Sequence, residues 1–221
     1  MVSKRLIVAI DGPSGAGKGT VARAVAARLG YRHVDTGAMY RAVAWKALHA
    51  GVDVGDETAV AAIGERASFD LEQGRVAIDG HDVASAIRTP EIDRAATAVA
   101  RHPAVRRVLV ARQRSFGQAG GVVMEGRDIG TVVFPDADVK IYLDASPEER
   151  ARRRAADPAH TTSKGTQLAD VATALAERDR SDSTRAVSPL AVAPDAVVID
   201  TTGLSIADVI DKVTALVNAK C

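Results

Sequence analysis

Four glycines and one lysine crowd the stretch Gly12-Pro13-Ser14-Gly15-Ala16-Gly17-Lys18-Gly19-Thr20. Glycines let a backbone curl until successive N–H groups face one point, and a neighbouring lysine adds a mobile positive charge. That combination suits a phosphate. The stretch nearly spells G-x-x-x-x-G-K-[ST], with Gly19 where the pattern places serine or threonine. It lies between an apolar run, Leu6–Ile10, and an alanine-rich helical pattern, Gly17–Leu29, the context such a loop requires. Lys18 is placed to meet the β- and γ-phosphates of a nucleoside triphosphate. Phosphoryl transfer needs a divalent ion, so magnesium is expected. With glycine at position 19, a protein ligand for that ion falls to Thr20 or Ser14, or the role passes to water.

A phosphate cradle does not name what receives the phosphate. "DTGAMYR", Asp35 to Arg41, closes a second β-like run, and the carboxyl ends of parallel strands line ligand crevices. Thr36 and Arg41 could meet a phosphate there; otherwise they are a helix cap and a solvated cation. "MEGRDIGTVVFPDA" ends a third run at Met124–Glu125 and sets Arg127 and Asp128 in the loop beyond. These two form either an ion pair or ligand contacts, Arg127 to a phosphate and Asp128 to a hydrogen-bond donor. Arg178, Asp182 and Arg185 recur at spacings of four and three, one face of a helix if it extends that far and otherwise a solvated charge run. "RARRR", Arg150–Arg154, suits a lid closing arginines over a transferring group; the alternative is a basic patch for nucleic acid.

Elements must hold these groups in place. Leu6–Ile10, His33–Asp35, Val122–Glu125, Val139–Leu143 and Ala196–Asp200 are short apolar, β-branched runs, and all but His33–Asp35 are near-continuous. They predict parallel strands covered on both faces. Helical patterns fall between or after them at Gly17–Leu29, Met39–Ala50, Ala95–Phe116 and Ile206–Val217, and a further helix start is marked by Ser146-Pro147-Glu148-Glu149. The alternation predicts an α/β fold, a five-stranded parallel sheet flanked by helices. Phe69–Val83, with Gln-Gly and Asp-Gly turns, reads as a small antiparallel insert. Arg150–Gln167 ends in polar, turn-rich sequence and reads as a mobile lid.

Composition bounds the function. The 221 residues suffice for one domain, with or without small inserts, and 47% hydrophobic with 26% charged residues is globular. A net charge of +1 supplies no global field for nucleic acid or an anionic membrane. The only cysteine, Cys221, leaves no internal disulfide or cysteine metal site, which fits a reducing cytoplasm. "LIVAI" is too short for a signal-peptide core or a membrane span. His33, His49, His81, His102 and His160 show no metal-ligand pairing at helical spacing and read as structural or surface residues. The N-K-x-D guanine motif of a GTP switch does not occur.

From Leu6 to the final helix the chain resembles the bacterial cytidylate kinases, a family of nucleoside-monophosphate kinases within the P-loop kinases. The resemblance is carried by "DGPSGAGKGT", "DTGAMYR", "IRTPEI", "PAVR", "RQR", "GRDIGTVVFPDA", "KIYLDAS", "ERDRSD" and "AVSPL", in that order. "GKGT" is similar to the loop of nucleoside-monophosphate kinases rather than that of signalling GTPases. The resemblance implies a single P-loop kinase domain: core and acceptor-site helices at 1–35, 84–149 and 168–221, an acceptor-nucleotide segment at 36–83 with its β-rich insert at 69–83, and a lid at 150–167. It implies a cytoplasmic monomer that uses ATP and magnesium to phosphorylate CMP or dCMP; broader UMP/CMP use, or another small-molecule acceptor, is the alternative.

Residue by residue, the resemblance places ATP on Gly12, Pro13, Ser14, Gly15, Ala16, Gly17, Lys18, Gly19 and Thr20. The acceptor phosphate would meet Thr36, Arg41, Arg127 and Arg185, the base Thr97, Arg106 and Asp128, and the ribose Arg178 and Asp182. Arg153 or Arg154 would enter from the lid, joining Lys18, Arg127 and Arg185 in catalysis, and Thr20 and Glu125 would organise magnesium, Glu125 through water. The chain departs from the family pattern in having Thr36 and Thr97 where serine is expected, and "MEG" where "ADG" is commoner; each hydroxyl and the carboxylate survive. Cytosine presents an amino donor beside ring acceptors, so a carboxylate, a hydroxyl and a guanidinium form a matching set. Opposite the 4-oxygen of uracil the carboxylate would face a second acceptor, at a cost of about 1–3 kcal/mol.

Overall fold

The computed structural model describes residues 5–71, 74–157 and 167–220. The predicted strands are present as β1 (Ile7–Asp11), β2 (Arg32–Asp35), β6 (Val122–Gly126), β7 (Val139–Asp144) and β8 (Val197–Asp200), with three short strands between β2 and β6. They pair in parallel in the order β2-β6-β1-β7-β8. Successive side chains in a strand point to opposite faces, so the apolar runs divide between two layers. Val8, Ile10, Val123, Ile141 and Leu143 pack under α1 (Lys18–Leu29) and α8 (Ile206–Asn218). Ala9, Val34, Val122 and Met124 pack under a second layer that includes α2 (Thr36–His49). Asp11 lies beside Gly126 in the register, and Asp35 beside Glu125. The strand ends that carry the polar residues therefore meet along one edge.

The insert is a three-stranded antiparallel sheet of β3 (Phe69–Asp70), β4 (Ala77–Ile78) and β5 (His81–Asp82). Its Asp79-Gly80 turn has positive φ at both positions, 50° and 79°, as a tight hairpin requires. Asp79 accepts from Ser68 N at 2.8 Å and binds Lys46 of α2, which fastens the hairpin to the body. The Gln73 side of the expected Gln-Gly turn lies outside the described residues.

The structure corrects several expectations. Ala95–Phe116 is not one helix but the end of α4 (Pro90–Val99) and most of α5 (Pro103–Gly117). The apolar spacing runs on through 100–102, but Pro103 has no N–H to continue a helix and instead starts a new one. α2 starts at Thr36, three residues earlier than expected, because Asp35 caps it by accepting from Ala38 N at 2.9 Å. A helix α3 (Glu57–Arg66), capped by Asp56, was not foreseen. The basic run is the middle of α6 (Pro147–Ala156), packed through Ala151 on Val171 and Leu175 of α7 (Leu168–Thr184). Residues 158–166 of the expected lid lie outside the described residues. Arg185 falls just beyond the last residue of α7, in extended backbone, and so leaves the helical face expected for it.

Candidate active site

The loop after β1 is shaped by close approaches that only glycine allows. Gly12 has φ 145°, and a Cβ there would stand 2.0 Å from the Leu143 carbonyl oxygen. Gly17 starts α1 in the left-handed region (φ 91°), with no side chain capping the helix and no acid in its first turn. The first amides and the positive end of α1 are thus left for an external anion. Lys18 is buried and donates to the Pro13 carbonyl at 2.7 Å. Burial, with repulsion from Arg127 next, pushes its ammonium down to about 7.

Gly19 has a structural explanation. A Cβ there would lie 3.2 Å from Glu125 Oε1, so the residue that departs from the loop pattern makes room for a carboxylate from the neighbouring strand end. Glu125 Oε1 also stands 3.0 Å from His33 Nε2. His33 thus supports a cleft carboxylate, a contact missed when the five histidines were read as structural or surface residues.

Facing the loop is a cleft of about 300 Å³, lined by nine Lys or Arg side chains against five Asp or Glu. In a chain of net charge +1, that imbalance marks the cleft as a place for anions. Most of these charges are cross-linked. Asp35 Oδ2 takes Arg41 at 2.9 Å, with Arg88 at 3.9 Å. Burial would raise the Asp35 carboxyl, but the two guanidiniums outweigh it and hold it well below the usual carboxylate range. Arg127 Nε donates to Asp182 Oδ2 at 2.9 Å. Asp182 is likewise held down by Arg127, Arg178 and Arg185 against the effect of burial. Asp128 binds Arg106 and stands 3.6 Å from Arg185 Nη2. Even so, Arg41 Nε, Arg106 Nε and Arg185 Nη2 are buried without a hydrogen-bond acceptor. Such donors are rare and costly inside a protein, and here three of them cluster around one cleft.

Two expected hydroxyls are already engaged as donors. Thr36 Oγ1 donates to the Glu125 carbonyl at 2.7 Å, tying α2 to β6. Thr97 Oγ1 donates to the Asp93 carbonyl at 2.8 Å, so its lone pairs are the part left to face the cleft. The Arg106 guanidinium lies over the Tyr40 ring, 5.5 Å from its centroid. Burial pushes the Tyr40 hydroxyl up to about 12.

Of the expected residues, Ser14, Gly15, Gly17, Lys18, Gly19 and Thr20 from the loop line this cleft, and so do Thr36, Arg41, Thr97, Arg106, Glu125, Arg127, Asp128, Arg154, Arg178, Asp182 and Arg185. Gly12 and Pro13 shape the loop from behind, and Ala16 is buried in the core. Arg153 does not join the others. It donates to Thr201 Oγ1 and to the Thr201 carbonyl, both at 2.8 Å, and to Glu149 at 2.7 Å. Arg153 lines a second cavity of about 550 Å³ on the other side of the loop, with Thr20, Leu204 and Ile206.

Sequence reasoning missed Asp11, Arg88 and Asp93. Asp93 Oδ2 binds Arg154 of α6, and its Oδ1 stands 3.3 Å from Arg178 of α7, so one carboxylate spans three helices. Arg88 and Asp11 lay within the quoted motifs "IRTPEI" and "DGPSGAGKGT" and could have been found there. Asp11 is buried and accepts from Ile129 N at 2.8 Å and Gly130 N at 2.7 Å. Burial pushes its carboxyl up to about 6, against the pull of those two bonds.

Among the described residues there is no group of three His, Cys, Asp or Glu able to hold a metal, and no helix long and apolar enough to cross a membrane. Compared with known proteins, the chain is 51% identical to a cytidylate kinase of Solibacter usitatus (strain Ellin6076), over 98% of this chain and 94% of that one. It is 49% identical to a cytidylate kinase of Desulfitobacterium hafniense (strain Y51), over 99% and 95%. A gluconokinase structure from Sinorhizobium meliloti 1021 superposes with a TM-score of 0.52 at 13% identity, covering 98% of this chain and 93% of that one, a likeness of fold alone. The family description "Cytidylate kinase" matches residues 8–219. With that match spanning both the phosphate loop and the arginine-lined cleft, the chain belongs to the cytidylate kinase family.

Proposed function

We propose that the chain transfers the γ-phosphoryl group of ATP to CMP or dCMP, giving ADP and CDP or dCDP. The observation that carries this reading is that the phosphate loop and the Asp128–Arg106 pair face one cleft, with unsatisfied arginine donors between them. ATP would lay its phosphates on the amides of Gly15–Thr20, with its nucleoside toward the second cavity by Arg153 and Thr201. Lys18 would leave Pro13 for the β- and γ-phosphates. Arg41, Arg127 and Arg185 would hold the acceptor phosphate, whose oxygen is already ionised and needs no general base.

Each of those arginines has a carboxylate partner to release. When Arg127 turns to a phosphate, Asp182 Oδ2 loses its donor and becomes an acceptor for a ribose hydroxyl. The base would be read by Asp128, Arg106 and Thr97. Because Thr97 gives its proton to a carbonyl, it can only accept from the base, as the 4-amino group of cytosine requires and the 4-oxygen of uracil does not allow. Leaving one such group unpaired costs about 1–3 kcal/mol, a preference of roughly ten- to a hundredfold for CMP over UMP. No part of this set depends on the ribose 2′-hydroxyl, so dCMP is also a substrate.

The donor set fits magnesium. Glu125 and Thr20 are hard oxygen donors at the loop, and a pair of protein donors is enough for an ion that keeps water and phosphate oxygens in its shell. Magnesium, when bound, would neutralise charge on the β- and γ-phosphates. The rest of the chemistry is positioning and positive charge from the loop amides, Lys18 and the arginines, including Arg154 and Arg178 once they leave Asp93. A coupled assay of ADP release over AMP, CMP, dCMP, GMP, UMP and dTMP tests the proposal. CMP and dCMP are expected to give the highest kcat/KM, and a CMP rate no greater than the ATP-alone background refutes it.

A further inference from the structure

A helix or helical turn usually satisfies its first amides with the side chain of its own N-cap residue, as Asp35 does for α2. The π-helical turn Ile129–Val133 does not. Its N-cap is Asp128, which makes no cap hydrogen bond with its side chain. The first two amides of the turn, Ile129 N and Gly130 N, are taken instead by the two carboxylate oxygens of Asp11, at 2.8 and 2.7 Å. The fit is close: a Cβ on Gly130 would lie 3.4 Å from Asp11 Oδ2 and 3.2 Å from the Lys140 side chain. Relieved of capping, Asp128 turns its carboxylate to Arg106 and Arg185. Asp11 is also the last residue of β1, immediately before the phosphate loop.

We propose that Asp11 is a positioning residue for recognition of the acceptor base: by capping the turn after Asp128 from the neighbouring strand, it frees the Asp128 carboxylate for the base and fixes it relative to the phosphate loop. The proposal rests on the reading of Asp128 as a base contact. Without Asp11, the open amides of the turn compete for Asp128, which swings from the cleft to cap its own turn. Asp11 touches no substrate. Its electrostatic influence on Lys18 affects every acceptor alike, so the ratio of kcat/KM for CMP to that for UMP isolates the positioning effect.

That ratio is to be measured for the unsubstituted protein, Asp11→Asn, Asp128→Ala and the double variant. Asp11→Asn places an amide nitrogen against one of the two N–H groups, and the CMP preference is expected to narrow by about tenfold, as for one misdirected buried hydrogen bond. Asp11→Glu keeps the charge near Lys18 but moves the oxygens off the amides, and is expected to narrow the ratio in the same way. In the double variant, the ratio is expected to equal that of Asp128→Ala alone. If Asp11→Asn and Asp11→Glu hold the original ratio within about twofold while Asp128→Ala collapses it, or if the losses multiply in the double variant, the positioning role is overturned and the base reading stands. An unchanged ratio in Asp128→Ala overturns the base reading, and the positioning role with it. In the unsubstituted protein the Ile129 and Gly130 amide protons are expected to exchange slowly with solvent. Exchange at the rate of an open loop overturns the clamp, whether or not the variants fold.

Discussion

Replacing Lys18 by methionine is expected to stabilise the ligand-free protein while slowing its chemistry. Methionine keeps an apolar stem in the space that Lys18 occupies behind the loop and removes the buried charge. The fall of the Lys18 ammonium from 10.5 to about 7 corresponds to roughly 5 kcal/mol of folding free energy spent on keeping that cation inside at neutral pH. Part of the gain is lost again, because Lys18 is one of the groups that lower the neighbouring Asp11 carboxyl. A net gain of roughly 2–4 kcal/mol at pH 7 is therefore expected. The pH dependence has a definite sign. Between about 7 and 10.5, Lys18 is neutral when folded but still binds a proton when unfolded, so the stability of the parent protein rises with pH through that window. The advantage of Lys18→Met should then shrink by up to about 1.4 kcal/mol per pH unit above 7. Urea unfolding followed through Trp45 at pH 7, 8 and 9, without nucleotide, measures both quantities. The same preparation should lose about a hundredfold or more in kcat. A variant no more stable than the parent at pH 7, or a gap that widens with pH, would show that Lys18 is not a strained cation held ready for phosphate.

Two further substitutions examine the acceptor side. Asp93→Asn keeps the side-chain shape but loosens the hold on Arg154 and Arg178, so ATP and inorganic sulfate should bind about two- to tenfold more tightly; isothermal titration that finds weaker binding contradicts the competition drawn from the geometry. Thr97→Val removes the accepting oxygen without changing shape, and should raise KM for CMP about fivefold or more while leaving KM for ATP within about twofold. Thr97→Ser should restore the CMP value, and a valine variant with unchanged CMP kinetics removes Thr97 from base reading.

Features of the site that depend on local chemistry were legible in the sequence. The glycine loop, the strand ends that carry Asp35, Glu125 and Arg127, and the Asp-Gly hairpin follow from backbone preferences that act over a few residues. Apolar periodicity misled where it ran through a break, and Pro103 marked the boundary inside Ala95–Phe116. It says nothing about pairing between distant residues. Asp11 meets Ile129 and Gly130, His33 meets Glu125, and Asp93 meets Arg154 and Arg178, none of them at a spacing that a helix or strand repeat would reveal. For the same reason, the basic run looked uniform in sequence but divides in space. Arg150 binds Asp179, with the Ser14 carbonyl at 3.2 Å; Arg153 turns to Thr201; and Arg154 faces the cleft.

The strand order carries a consequence for how the chain is made. β1 and β2 are early in the sequence but do not touch; the place between them belongs to β6, which pairs Ile7 with Val122 on one side and Arg32 with Val122 on the other. Until residues 122–126 have been synthesised, both early strands present an unfilled hydrogen-bonding edge, and unpaired edges recruit other chains. In the five-stranded sheet, β7 and β8 are the one pair of consecutively numbered strands that lie side by side among the described residues, so its ladders close long loops, the topology of slow folders. Glu125 and Arg127 arrive with the strand that fills the gap. Sheet closure and site assembly are one late step, and a nascent chain cut short before it has neither.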